Sequence, residues 1–132
     1  MTESEVIQIM RAHIETLFPR MCTCCRRPFQ TLPDFLRNTQ PLGSAMSYDA
    51  AMGDWLPDKP LGLVSYSNCA CGNTIALSSA GMPLFQLWEI LHWAREQTHL
   101  RGITQQELFD EVRTAIVLEV LASAPPEDGA RI

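Results

Sequence analysis

Apolar residues recur at helical intervals in three stretches of the chain. Val6, Met10, Ile14, Leu17 and Phe18 share one face of a predicted first helix over 4–18. Thr2 and Glu5 have capping-box spacing at its start, and Pro19 ends it by pushing the preceding residue out of helical geometry. A second helix is predicted over 83–99, with Leu84, Phe85, Leu87, Trp88, Ile90, Leu91, Trp93 and Ala94 extending well beyond one stripe. A helix apolar on nearly all sides is expected to be buried on nearly all sides, as the central core element or as half of a dimer interface. The third helix, over 104–122, opens with Thr104 and Glu107 as a second capping box and points Leu108, Phe109, Val112, Ile116 and Val120 inward.

Between these helices the periodicity shortens. Leu61 to Ser67 and Thr74 to Ser79 are short runs with β-branched and aromatic members around a turn containing Asn68, Gly72 and Asn73, which predicts a β-hairpin over 61–79. Thr31 to Asn38, with Pro33 near its start, predicts a short helix. From 40 to 59 the pattern is lost among Pro41, Gly43, Gly53 and Pro57, and a long surface loop is expected, pinned to the core by Trp55 and Leu56. The pattern therefore predicts one α+β domain over 1–124 with three main helices. The acidic segment 125–132, behind Pro125 and Pro126, is expected to be a disordered tail.

Composition narrows the class. A chain of 132 residues that is 46% hydrophobic can bury one core but not two. Its longest apolar run, near Leu84 to Ala94, is interrupted by Gln86, Glu89 and His92, and the first residues have no signal-peptide pattern, so a cytoplasmic protein without membrane contact is expected. The net charge of -5 opposes general nucleic-acid binding. It is unevenly spread: 20–37 carries Arg20, Arg26, Arg27 and Arg37 against Asp34, a local +3, while 38–132 carries a local -6. The face of the third helix, with Glu107, Asp110, Glu111 and Glu119 against Arg113, would be repelled by DNA and suits a basic protein partner.

The chemistry lies in the cysteines. All five sit in two clusters, Cys22-Thr23-Cys24-Cys25 and Cys69-Ala70-Cys71, separated by 43 residues without one. Two cysteines one to four residues apart can present two sulfurs from a single turn, and two such turns complete a tetrahedron. Cys22, Cys25, Cys69 and Cys71 are the predicted metal ligands, with Cys24 as a spare ligand, a small apolar filler or a reactive thiol. Cys22-x-x-Cys25 followed by Pro28-Phe29, and Cys71-Gly72 in the second turn, resemble zinc-ribbon and zinc-knuckle proteins over 22–29 and 68–79. That resemblance implies a structural Zn2+ and a zinc-ribbon-like hairpin. Arg26 stands where such turns commonly carry glycine, and the second pair is C-x-C.

Catalytic patterns are absent. His13-Ile14-Glu15 and Cys22-x-x-Cys25 have the elements of a zinc deaminase, yet only six residues separate Glu15 from Cys22, too few for the intervening helix and strand. His92 and His99, seven apart, are read as local hydrogen-bonding groups. The expectation is a non-enzymatic zinc-binding adaptor or regulatory protein acting through a protein partner or as a homodimer. The alternatives are a thiol-based redox or metal sensor using Cys24 and a nucleic-acid-binding zinc ribbon.

Overall fold

The computed structural model describes residues 1–124; the segment 125–132, expected to be disordered, lies outside the described residues. Helix and strand are mixed. The first half holds α1 (Glu3–Glu15), β1 (Arg20–Met21), β2 (Pro28–Phe29), α2 (Leu32–Asn38), β3 (Thr39–Ser47) and α3 (Tyr48–Ala51). The second holds β4 (Leu63–Cys69), β5 (Thr74–Ser78), α4 (Leu84–Arg101) and α5 (Gln105–Ser123). Both expected capping boxes are formed: Thr2 and Glu5 exchange side-chain to backbone bonds at the start of α1, and Thr104 and Glu107 do so at α5. Among the described residues, no helix is long and apolar enough to cross a membrane.

Two antiparallel sheets organise the chain. β1 and β2 form a small ribbon, with Arg20 opposite Phe29. β3, β4 and β5 form the larger sheet in that order, with Ser67 of the central strand opposite Pro41 on one side and Ile75 on the other. The hairpin expected over 61–79 is β4–β5, and a third strand is added to its β4 edge.

That third strand corrects the expectation of a loop over 40–59. Pro41 and Gly43 conceal it because they break the alternation by which a strand is recognised. Pro41 is tolerated because β3 lies at a sheet edge, and the register shifts between Leu42 and Met46, around Gly43. The outer edge of β3 is covered by α5. Asp110 Oδ1 accepts the Ala45 N–H at 2.8 Å, Gln105 Oε1 accepts the Ser47 N–H at 2.9 Å, and Arg113 Nη2 donates to the Gly43 carbonyl at 3.0 Å. Long-range side chains thus replace the neighbouring strand that an edge otherwise invites.

For α4, expected to be a central core element or half of a dimer interface, the core accounts for one side alone. Leu87, Ile90, Leu91, Trp93 and Ala94 are buried, but Leu84, Phe85 and Trp88 are exposed, Phe85 at 71%. One side of α4 therefore closes the core, and another carries large apolar side chains to the surface. Trp55 does pack on the core as expected, whereas Leu56 is exposed.

The segment between α3 and β4 is held by one buried carboxylate. Asp49 accepts the Leu61 N–H at 2.9 Å and the Gly62 N–H at 3.0 Å. Gly62 has φ +98, and a Cβ there would run into the Ser79 hydroxyl that caps the Leu63 N–H. Removing the carboxylate leaves two backbone donors without an acceptor, at about 1–3 kcal/mol for each one buried. Asp49→Ala is expected to lower the unfolding free energy in urea by about 2–4 kcal/mol. A loss within about 0.5 kcal/mol, the range of ordinary surface substitutions, would show that water takes over both donors.

Candidate metal centre

Two turns of one construction face each other at the end of the sheet. In the first, between β1 and β2, the Cys22 N–H donates to the Arg27 carbonyl and the Arg26 N–H to the Cys22 carbonyl, both at 2.9 Å. In the second, between β4 and β5, the Cys69 N–H donates to the Asn73 carbonyl and the Gly72 N–H to the Cys69 carbonyl, again both at 2.9 Å. Each turn then needs a left-handed residue directly after its second cysteine. Gly72 supplies it at φ 93 and Arg26 at φ 64. The C-x-C turn is thus the C-x2-C turn shortened by one residue. Arg26 occupies the glycine position at the steric cost that any L side chain pays there.

The turns bring together the four cysteines named from spacing. The sulfurs of Cys22, Cys25, Cys69 and Cys71 all lie within 4.8 Å of one another, and they form the one such group of His, Cys, Asp or Glu among the described residues. Cys22 and Cys71 sulfurs are 3.6 Å apart, and those of Cys25 and Cys69 are 3.7 Å apart. These separations exceed a disulfide bond of about 2.05 Å by far. They match the edge of a tetrahedron with sulfurs about 2.3 Å from its centre, which is about 3.8 Å. The close contacts run between the turns, so an ion at the centre would tie 22–25 to 69–71.

Electrostatics at the cluster suits a cation. Cys22 is lowered to about 6, first by the Cys25 N–H and then, against desolvation, by the Cys24 N–H, the Asn73 amide and Cys71. Asn73 Nδ2 lies 3.4 Å from the Cys22 sulfur. Cys25 moves the other way. The Arg27 N–H lowers it, but desolvation and the sulfurs of Cys69, Cys71 and Cys22 outweigh that pull and raise it to about 12. Backbone dipoles stabilise negative charge on one sulfur, and adding a second meets repulsion. A divalent cation removes that conflict for the whole group.

The surroundings hold the first turn against the core. Phe29 meets Phe35 edge-on at 5.2 Å between ring centres, and Phe35 meets Phe18 at 5.4 Å. The guanidinium of Arg27 sits over the Phe29 ring at 5.5 Å, and Arg20 Nη1 donates to the Ala76 carbonyl of β5 at 2.8 Å. Two of the arginines in the local +3 patch are therefore engaged within the fold. Cys22 and Cys69 are buried, while Cys25, Cys71 and the spare Cys24 are exposed.

The histidines lie elsewhere. His13 Nε2 bonds the Ser78 carbonyl at 3.0 Å, as a donor in the Nε2-protonated tautomer. His92 and His99 both line a shallow groove with Trp55, Arg95 and Glu96. Sequence reasoning placed Arg20 in a basic patch and missed its bracing of the ribbon, and it missed the bond from Asn73 to the Cys22 sulfur. The signal for Asn73 was its place directly after the second-turn glycine; Arg20 gave none, because its partner is a backbone carbonyl 56 residues away. Comparison with protein families, curated proteins and solved structures gave no match.

The left-handed Arg26 gives a direct test of the turn. Because its side chain is exposed, Arg26→Gly is expected to raise stability by about 1 kcal/mol while leaving metal affinity unchanged. Arg26→Val should lower both. Thermal melts and competition with a chromophoric chelator check this; equal stability of the Gly and Val variants would contradict a left-handed residue at this position.

Proposed function

We propose that the protein is a zinc-stapled adaptor or regulatory protein, with Zn2+ held structurally by Cys22, Cys25, Cys69 and Cys71 and with its biological work done through protein contacts. The observation that carries the metal assignment is the convergence within 4.8 Å of four sulfurs contributed in pairs by two matching turns, with two separations near a tetrahedral edge. Soft thiolates in a tetrahedron select zinc or iron. Sulfurs gathered within 4.8 Å leave room for one ion and not for several irons with bridging sulfides. In this reading β4–β5 and the β1–β2 ribbon are the two arms of a zinc-ribbon-like unit. With all four positions taken by protein, no position remains for a substrate or a metal-bound water, so the role is not catalytic.

The protein-contact part rests on α4. Leu84, Phe85 and Trp88 are exposed on it. The chain before β4 runs alongside, with Trp88 Nε1 donating to the Pro57 carbonyl, and adds exposed Leu56 and Leu61. A surface of this kind suits a protein partner, including a second copy of the chain. Nucleic acid is disfavoured by the acidic body and by the internal use of Arg20 and Arg27. A redox-sensing reading draws on one observation, the exposure of Cys24, Cys25 and Cys71 beside buried Cys22 and Cys69. It predicts peroxide-driven zinc release that slows in Cys24→Ser.

Freshly purified protein is expected to carry one zinc per chain by native mass spectrometry. Cys69→Ser should lose the metal and melt at lower temperature, and Cys24→Ser should keep both. Full zinc content in Cys69→Ser would overturn the ligand set. Protons compete with the metal for the thiolates. Cys22 is held down near 6, so its contribution is present at neutral pH and is lost as pH falls through that value. Cys25, raised to about 12 without metal, gives up its proton on binding. Zinc affinity should therefore fall steeply between pH 7 and 5, and an affinity flat across that range would contradict thiolate coordination. Light scattering at micromolar concentration is expected to give a dimer that Phe85→Glu converts to a monomer; a monomeric unmodified protein would remove self-association.

A further inference from the structure

Away from the cysteines, a cavity of about 280 Å³ lies between α1, α5 and the larger sheet. Its origin can be read from the strands. On the central strand, Ser65 and Ser67 follow Leu63 on one face, opposite Leu77 and Ile75 of β5, and Ala45 and Pro41 of β3 also line the space. Small side chains thus stand where a close-packed sheet would present large ones, and α1 and α5 span them without filling the gap.

Two features of the lining point to the chemistry of an occupant. Half of the six methionines, Met10, Met46 and Met82, line it, and the unbranched thioether adapts to flexible apolar ligands. One cation is present as well. Arg113 lines the cavity from α5; its Nη2 is shared between the Gly43 carbonyl and Asp110, while its Nη1 is buried with no hydrogen-bond partner. A buried guanidinium nitrogen without an acceptor is rare in folded proteins, and a carboxylate oxygen satisfies it by a charge-assisted bond.

We infer that this cavity binds a medium-chain aliphatic carboxylate, with the tail among the methionines and the carboxylate on Arg113. A cavity of about 150 Å³ takes a benzene ring, so 280 Å³ matches about ten to twelve non-hydrogen atoms, a carboxylate with a chain of about eight to ten carbons. The site is separate from the cysteine cluster and does not depend on the metal assignment.

The test is titration with sodium decanoate below its micelle concentration, followed by methyl NMR of all six methionines and by calorimetry. Saturable shifts confined to Met10, Met46 and Met82 are expected, with Met1, Met21 and Met52 still. Arg113→Met should weaken decanoate at least tenfold and change decanol, which has no charge, by less than twofold. Ser65→Leu, which fills the cavity, should abolish binding of both. Far-UV circular dichroism and the melting temperature of each variant separate a lost site from a lost fold. Absence of saturable shifts in the unmodified protein would overturn the proposal, as would undiminished decanoate affinity in Arg113→Met.

Discussion

Four sulfurs packed within 4.8 Å of one another cannot all carry charge without a cation among them. That constraint governs the end of the molecule where the chain's most distant pieces meet. The first turn follows α1 closely and is braced by the cluster of Phe18, Phe35 and Phe29; the second is the tip of β4–β5. Among the described residues, the bonds that join the two arms include Asn73 to Cys22 and Arg20 to Ala76. A zinc ion would turn this loose junction into a covalent-strength crosslink, and its binding energy would count as folding energy.

Much of this was legible in the residues, and the remainder was hidden for identifiable reasons. Capping boxes are local, so Thr2 with Glu5 and Thr104 with Glu107 announced their helices without help from the rest of the chain. Cysteine spacing is local too, which is why the four sulfurs that converge are the four that spacing selected. β3 was hidden because its strand character comes from partners far away: β4 on one edge, and Asp110, Gln105 and Arg113 of α5 on the other. Pro41 and Gly43 carry the opposite local message. The apolar run of α4 gave no way to separate the burial of Ile90 and Leu91 from the exposure of Phe85, since hydrophobicity alone does not say which face meets a core. Arg26 looked like a departure from a glycine position, and its backbone nevertheless adopts the left-handed conformation that glycine would favour.

The fold separates its tasks in space. The cysteine end brings the two turns together, the far side of α4 offers Leu84, Phe85 and Trp88 outward, and the sheet face under α5 is left underfilled around Arg113. A metal held by the four cysteines, as proposed above, would free the rest of a small domain from supplying all of its stability through packing. On that proposal a chain of 132 residues could leave apolar side chains exposed and a cavity open.

The central claim, one zinc ion in an all-sulfur tetrahedron made by both turns, is tested most directly by X-ray absorption at the zinc edge of the purified protein. The account predicts a single shell of four sulfurs at about 2.3 Å with no nitrogen or oxygen scatterer. A shell containing histidine nitrogen or water oxygen, or a short metal-to-metal distance, would contradict it.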